Sequence, residues 1–234
     1  MKAFLSLTAL STALLLPASA EIDSEIPIGI EALTGYRSQY VNRGFILTDS
    51  MLEAQLDTRV SLNDRTTLSF AASYGTGTGS NDFAEGAGFL DLSYECTEVL
   101  SFGANLSYHD YSNSFFQNGL DAGLFAQWVF SNDVELRGEV HYNDGAEGWY
   151  GNAQLAWSYE LSSSSYFRVS GGVSAVSDYY DRNGWNDAFG RAEIVYYINP
   201  AVSITPFVGG SALLDSDDTD GDSFFGGVWF AVTF

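Results

Sequence analysis

The chain lacks most of what would let it cross-link itself, bind nucleic acid or span a bilayer as helices. Of its 234 residues one is cysteine (Cys96), two are histidine (His109 and His141) and one is lysine (Lys2). A single cysteine excludes an internal disulfide and a thiolate cluster for metal, so stability must come from packing and backbone hydrogen bonds. Basic residues are almost as scarce: beyond residue 20 there are eight arginines against 30 carboxylates, a formal charge of about −22. Such a surface repels nucleic acid and anionic headgroups, which excludes a nucleic-acid role. Long apolar runs are missing too. The one from Ala3 to Leu16 is shorter than the roughly 20 residues a membrane helix needs, and no later segment reaches that length. Any membrane residence must therefore use strands.

What is present begins with that short run. Lys2, the apolar stretch, Pro17 and the small residues Ala18, Ser19 and Ala20 predict a cleaved secretory signal peptide over 1–20, leaving 21–234 as one domain. From there, apolar and polar side chains alternate in segments separated by Gly, Asn, Asp and Ser clusters, the period of a strand whose successive side chains face opposite ways. In "VELRGEVHY", Val134, Leu136, Val140 and Tyr142 share one face while Glu135, Arg137, Glu139 and His141 share the other. Twelve segments are expected: 27–38, 51–62, 65–75, 85–95, 98–109, 119–130, 133–143, 148–160, 165–176, 187–198, 201–213 and 223–234. Short connections such as "ND", "CTE" and "NP" alternate with longer ones such as "YVNRGFILTD", "DYSNSFFQN", "SDYYDRNG" and "DSDDTDGD".

An even strand number with alternating short turns and long loops is the pattern of an outer-membrane barrel, whose aromatics gather at both interfaces. Tyr36, Tyr74, Tyr108, Tyr142 and Trp149 fall near the long-loop rim, and Tyr94, Trp128, Phe130, Trp157, Tyr159, Phe167, Tyr196 and Phe234 near the short-turn rim. A soluble β-sandwich would place aromatics at strand centres. The sequence thus predicts an all-β, closed, antiparallel up-and-down transmembrane barrel of twelve strands in a bacterial outer membrane, with lipid and lipopolysaccharide around it.

Its lumenal face would carry Glu31, Arg37, Glu53, Asp57, Arg59, Asp91, Glu95, Asp121, Glu135, Arg137, Glu139, His141, Arg168, Arg191 and Glu193. This acidic, polar lining predicts a water-filled channel passing small hydrophilic solutes with a weak preference for cations. The competing expectation is an interior shut by arginine–carboxylate pairs, leaving an anchoring or adhesive protein whose outer loop exposes Phe115 and Phe116. The loop aspartates Asp215, Asp217, Asp218, Asp220 and Asp222 are a candidate Ca²⁺ site, but they depart from the EF-hand pattern and are better read as a solvated loop. No cofactor is expected. A lipid-processing enzyme is disfavoured because the two histidines sit on non-neighbouring strands, where no direct Ser–His pair is evident.

Near the first hairpin, "GYRSQYVNRGFILTDSMLEAQLD" resembles the opening of porins of the TorF type, in a motif that here reads Tyr40, Val41, Asn42, Arg43 and Gly44. The resemblance covers about 40 residues, and Asn42 stands where the family more often has an aromatic. It implies a signal peptide, a small outer-membrane barrel and a role in solute passage. On the residues alone, Arg43 and Gly44 are either an ordinary hairpin loop or a loop that folds Arg43 inward onto lumenal carboxylates. The chain closes on "SFFGGVWFAVTF", read as a twelfth strand whose Phe230, Val232 and Phe234 face lipid. Its terminal aromatic resembles the signal by which barrel-assembly machinery recognises its clients.

Overall fold

A computed structural model describes residues 28–79, 81–112, 114–131, 133–215 and 221–234. The expected signal peptide and Asp217, Asp218 and Asp220 lie outside the described residues. The strands are β1 (Ile28–Arg37), β2 (Tyr40–Asn42), β3 (Phe45–Thr48), β4 (Met51–Asn63), β5 (Thr66–Gly77), β6 (Ala84–Glu95), β7 (Leu100–Ser112), β8 (Gly119–Ser131), β9 (Val134–Asn143), β10 (Gly148–Ser162), β11 (Ser165–Tyr179), β12 (Arg182–Asn199), β13 (Val202–Leu213) and β14 (Ser223–Thr233). All but β2 and β3 form a closed antiparallel barrel of twelve strands, each paired with its neighbours in the chain. The last strand seals against the first in a register running from Glu31↔Thr233 to Arg37↔Gly227, and the Phe234 N–H donates to the Ile30 carbonyl at 2.9 Å. Closure leaves the described barrel strands without an edge of unpaired backbone groups, the condition for crossing hydrocarbon.

The alternation read from sequence sorts the two faces. Outward positions leave large apolar groups bare, among them Leu124 at 63%, Leu155 at 50% and Phe224 at 79% exposure. A barrel dissolved in water would hide such a belt; one seated in lipid must show it. Inward positions carry the charged and polar residues, because the lumen is where they keep water or one another as partners.

Two connections differ from the expected pattern. The segment 177–184 is not a long loop: β11 and β12 run into it from both sides and leave only a two-residue turn, Tyr180 and Asp181, at φ of 48° and 66°. Both are in the left-handed region that a tight hairpin turn of this hand requires. The β11–β12 ladder also shifts register between Val173 and Ala175 and again between Val176 and Tyr179. These irregularities bury two consecutive residues, Asn186 and Asp187, where strict alternation would bury one. The first long connection is not featureless either, since it folds into the β2–β3 hairpin.

That hairpin lies inside the mouth at the long-loop end. Tyr40, Phe45 and Leu47 form a buried cluster with Met51, Phe83, Phe116, Tyr150, Val176 and Tyr179. Phe45 meets Phe116 edge-on at 5.2 Å, and Phe116 stacks on Tyr180 at 4.5 Å. Phe116 is therefore a buried wedge at 4% exposure, contrary to the expected exposed pair; Phe115, at 54%, keeps contact with Phe45.

Candidate functional site

Below the hairpin is a cavity of about 310 Å³. Eleven of the fifteen predicted lining residues border it: Arg37, Glu53, Asp57, Arg59, Asp91, Arg137, Glu139, His141, Arg168, Arg191 and Glu193. Glu31, Asp121 and Glu135 face inward and are buried in the wall beside it, and Glu95 ends β6 on the same face as Asp91. The lining gains Glu85 and Asp187 as acids and Arg43 as a base, and Arg182 is buried against the hairpin. Of the eight arginines beyond Lys2, only Arg65, in the β4–β5 turn, is exposed, so the scarce positive charge is concentrated indoors. Carboxylates still outnumber it.

The lumenal ion pairs stay close to the wall. Arg37 grips Glu53 on the next strand with two bonds of 2.6 Å. Arg137 Nε donates to Glu139 at 3.1 Å while stacking over Phe125 at 4.0 Å, and Asn152 donates to Glu139 at 2.7 Å. Arg191 is 2.7 Å from Glu193 and stacks over Phe207 at 3.8 Å, and Arg168 approaches the same carboxylate at 3.8 Å. These contacts join residues of one strand or of adjacent strands, so they hold side chains against the wall without bridging the lumen. Phe207 also belongs to an apolar patch with Leu33, Trp229 and Ala231, which fills the β13–β14–β1 side of the interior.

The hairpin tip does bridge the lumen. Arg43 and Gly44 form its turn with φ of 52° and 78°. Gly44 has no strain there, and a Cβ on it would meet Asn186 at 3.1 Å and Arg182 at 3.2 Å. Arg43 is held in the left-handed region, and its guanidinium forks onto Asp121 at 2.9 and 3.2 Å, donates to the Tyr179 hydroxyl at 2.7 Å and lies 4.7 Å over the Tyr150 ring. Burial opposes its charge, but Tyr179 and Asp121 more than offset this and hold its pKa above the ordinary arginine value. Asn186 donates to the Arg43 carbonyl at 2.9 Å, and Arg182 lies 3.5 Å over the Phe45 ring. Asn186 and Asp187 belong to a buried network with Ser174 and Ser211, in which Ser211 donates to Asp187 at 2.6 Å and Ser174 bonds the other oxygen. Of the first-loop motif, Tyr40 and Asn42 are buried beside Arg43 and Gly44.

A Ser–His contact is present, against expectation. Ser107 lies two residues before His109 on β7, so both face inward. The Ser107 hydroxyl is 3.1 Å from His109 Nε2, and Nδ1 is 2.8 Å from Glu85 on β6. Comparing only the strands of the two histidines missed a partner on the same strand. Glu85 shares the parity of Asp91, so carrying the alternation back to the start of its segment finds it. The β11–β12 irregularity hides Asn186 and Asp187 from any such count.

Elsewhere, Phe230 and Phe234 face outward at 41% and 59% exposure, and Val232 pairs with Ala32 and Val202 at the closing seam. Among the described residues of the acidic loop, Asp222 accepts from the Leu213 N–H at 3.2 Å.

No protein-family model and no curated protein sequence matches the chain. Solved structures do. The chain is similar to the KdgM porin (10% identity, TM-score 0.56, covering 88% of this chain and 99% of that one) and to the COG4313 outer membrane channel from Pseudomonas putida F1 (13%, 0.57, 94% and 97%). It is similar to the same degree to LpxR from Salmonella typhimurium (11%, 0.57, 88% and 100%). At such identities the likeness establishes the fold: a small, closed, outer-membrane-type barrel of twelve strands.

Proposed function

We propose that this chain is a narrow, porin-like channel of the bacterial outer membrane, allowing passive diffusion of small hydrophilic solutes through a lumen constricted by its own first loop. The observation that carries this reading is the division of the wall: an apolar belt outside, and inside an open cavity whose paired charges lie along the strands. A barrel that served only to anchor loops would gain nothing from keeping that space polar. The excess of lumenal carboxylates favours cations over anions. The named porin and channel among the similar structures support the reading at the level of fold, and the Tyr40–Gly44 segment carries the finer resemblance to porins of the TorF type. Lipopolysaccharide and lipid surround the belt, and the barrel-assembly machinery reads the closing strand.

The experiment is reconstitution in planar bilayers under a salt gradient. Discrete conductance steps with a reversal potential toward that of the cation are expected. A second reading, a plugged barrel with a structural or adhesive role, draws on the aromatic cluster and the Arg43 latch at the mouth. Absence of conductance at any voltage, in wild type and in a variant with the latch removed, would select it.

A further inference from the structure

We propose that Ser107, His109 and Glu85 form a nucleophilic site in the lumen wall that cleaves small, neutral acyl esters. This goes beyond the channel reading and does not depend on it. Its three members meet the geometric requirements for an activated serine: a nucleophile bonded to a base, and a base oriented by a third group. The Ser107 hydroxyl lies 3.1 Å from His109 Nε2, and Glu85 Oε1 lies 2.8 Å from Nδ1. With the proton on Nδ1 and directed to Glu85, Nε2 presents a lone pair to the Ser107 hydroxyl. The ring is not free to turn. It is 3% exposed, stacks on Tyr111 at 5.7 Å and meets Phe89 edge-on at 5.5 Å.

One neighbour competes for Nε2. Asp121 Oδ2 stands 3.5 Å from it, but that carboxylate is already gripped by the Arg43 fork at 2.9 and 3.2 Å. The hairpin that narrows the mouth thereby leaves the imidazole to the serine. Ser107, His109, Glu85 and Asn105 all border the central cavity, so a ligand inside it reaches the hydroxyl. Asn105 precedes Ser107 by two residues on the same face, and its buried Oδ1 has no hydrogen-bond partner. In this proposal the Asn105 side-chain amide, which borders the same cavity, supplies the N–H donor to a developing oxyanion. The acidic lining repels anionic esters, and a cavity of about 310 Å³ has room for a small ester.

The chemistry balances with water as the one co-reactant. Ser107 Oγ bonds to the ester carbonyl carbon as its proton passes to Nε2. The C–O ester bond then breaks, and the departing alcohol takes that proton. Water attacks the acyl-serine, gives a proton to Nε2 and releases the acid, and the proton returns to Ser107.

The test uses the folded full-length barrel in detergent, with diisopropyl fluorophosphate as the labelling probe and p-nitrophenyl acetate as the substrate. Label is expected on Ser107 and not on Ser73, a serine of the same cavity that lacks a histidine partner. Labelling and ester hydrolysis should both vanish in Ser107→Ala and fall at least about a hundredfold in His109→Gln, with heat-modifiable gel migration reporting that each variant is folded. Glu85→Gln, which leaves serine and histidine in place, should slow both rates by a smaller factor. Labelling of Ser107 no faster than Ser73, or a His109→Gln barrel that is folded and labels at the wild-type rate, would overturn the proposal. Bilayer conductance of the same preparation tests the channel separately.

Discussion

Arg43→Asn separates the latch from the hairpin that carries it. Asparagine is a favoured residue at a left-handed turn position, so the β2–β3 turn is kept while the guanidinium is lost. The Asn186 bond to the backbone carbonyl of residue 43 survives, as does the apolar packing of Phe45. What disappears is the fork on Asp121, the bond to Tyr179 and the contact with the Tyr150 ring. Removing one partner of a buried ion pair costs about 3–5 kcal/mol, much of it from stranding the other charge. If that cost falls on the inward-folded state alone, the balance between inward and displaced hairpin moves by roughly a hundredfold or more, at about 1.4 kcal/mol per factor of ten. Single-channel recording in planar bilayers should then show a larger conductance, or open dwell times longer by about that factor. Asp121→Asn should have the same effect, and the double variant should add little, because both remove one interaction. A folded Arg43→Asn barrel with wild-type conductance and gating would refute the reasoning, since the hairpin would then not limit passage.

Two further outcomes test the wall. Leu124→Arg places a charge at the middle of β8 on the bare outer face and should destabilise the membrane-inserted barrel by about 2–4 kcal/mol, measured by denaturant unfolding in liposomes; an unchanged midpoint would mean that this face does not meet lipid. Deleting Phe234 removes the backbone bond to Ile30 and the terminal aromatic, and should lower the yield of heat-modifiable, folded barrel in cells, with normal insertion as the refuting result.

The barrel was legible in the sequence because its physics has period two. Leu124, Trp128 and Phe130 must face lipid and Asp121 and Gln127 must not, so alternation alone fixes the facing of β8 and, strand by strand, the lining. The strand ends at the short-turn rim were equally readable, since tight turns take Asn, Asp and Ser for local reasons. The mouth was not. Phe116 inside a loop rich in Ser and Asn gives no sign of burial, because what buries it is Phe45 and Tyr180 from two distant connections. The segment around Tyr179 and Tyr180 looked like a loop for its Asp and Asn content, yet its two-residue turn holds non-glycine residues in a conformation that local preference does not announce. Both failures are tertiary contacts overriding local composition.

The Arg43–Gly44 turn is informative for the same reason. A hairpin of two short strands could close on Asn-Gly at lower conformational cost, whereas arginine in the left-handed region is strained by about 1–3 kcal/mol. At φ of 52° the chain accepts that cost, and the hairpin around it is too short to be stable alone. The strain is tolerable only because the site over-determines the residue: a carboxylate and a phenol on its side chain, an amide on its carbonyl, and the apolar cluster around Phe45. The polar partners, Asp121, Tyr179 and Asn186, all belong to the barrel strands, and the hairpin's own Tyr40, Phe45 and Leu47 pack against barrel residues such as Met51, Tyr150 and Val176. The loop is therefore folded by the lumen it narrows, and whatever weakens its hold on Asp121 releases the constriction without disturbing the wall.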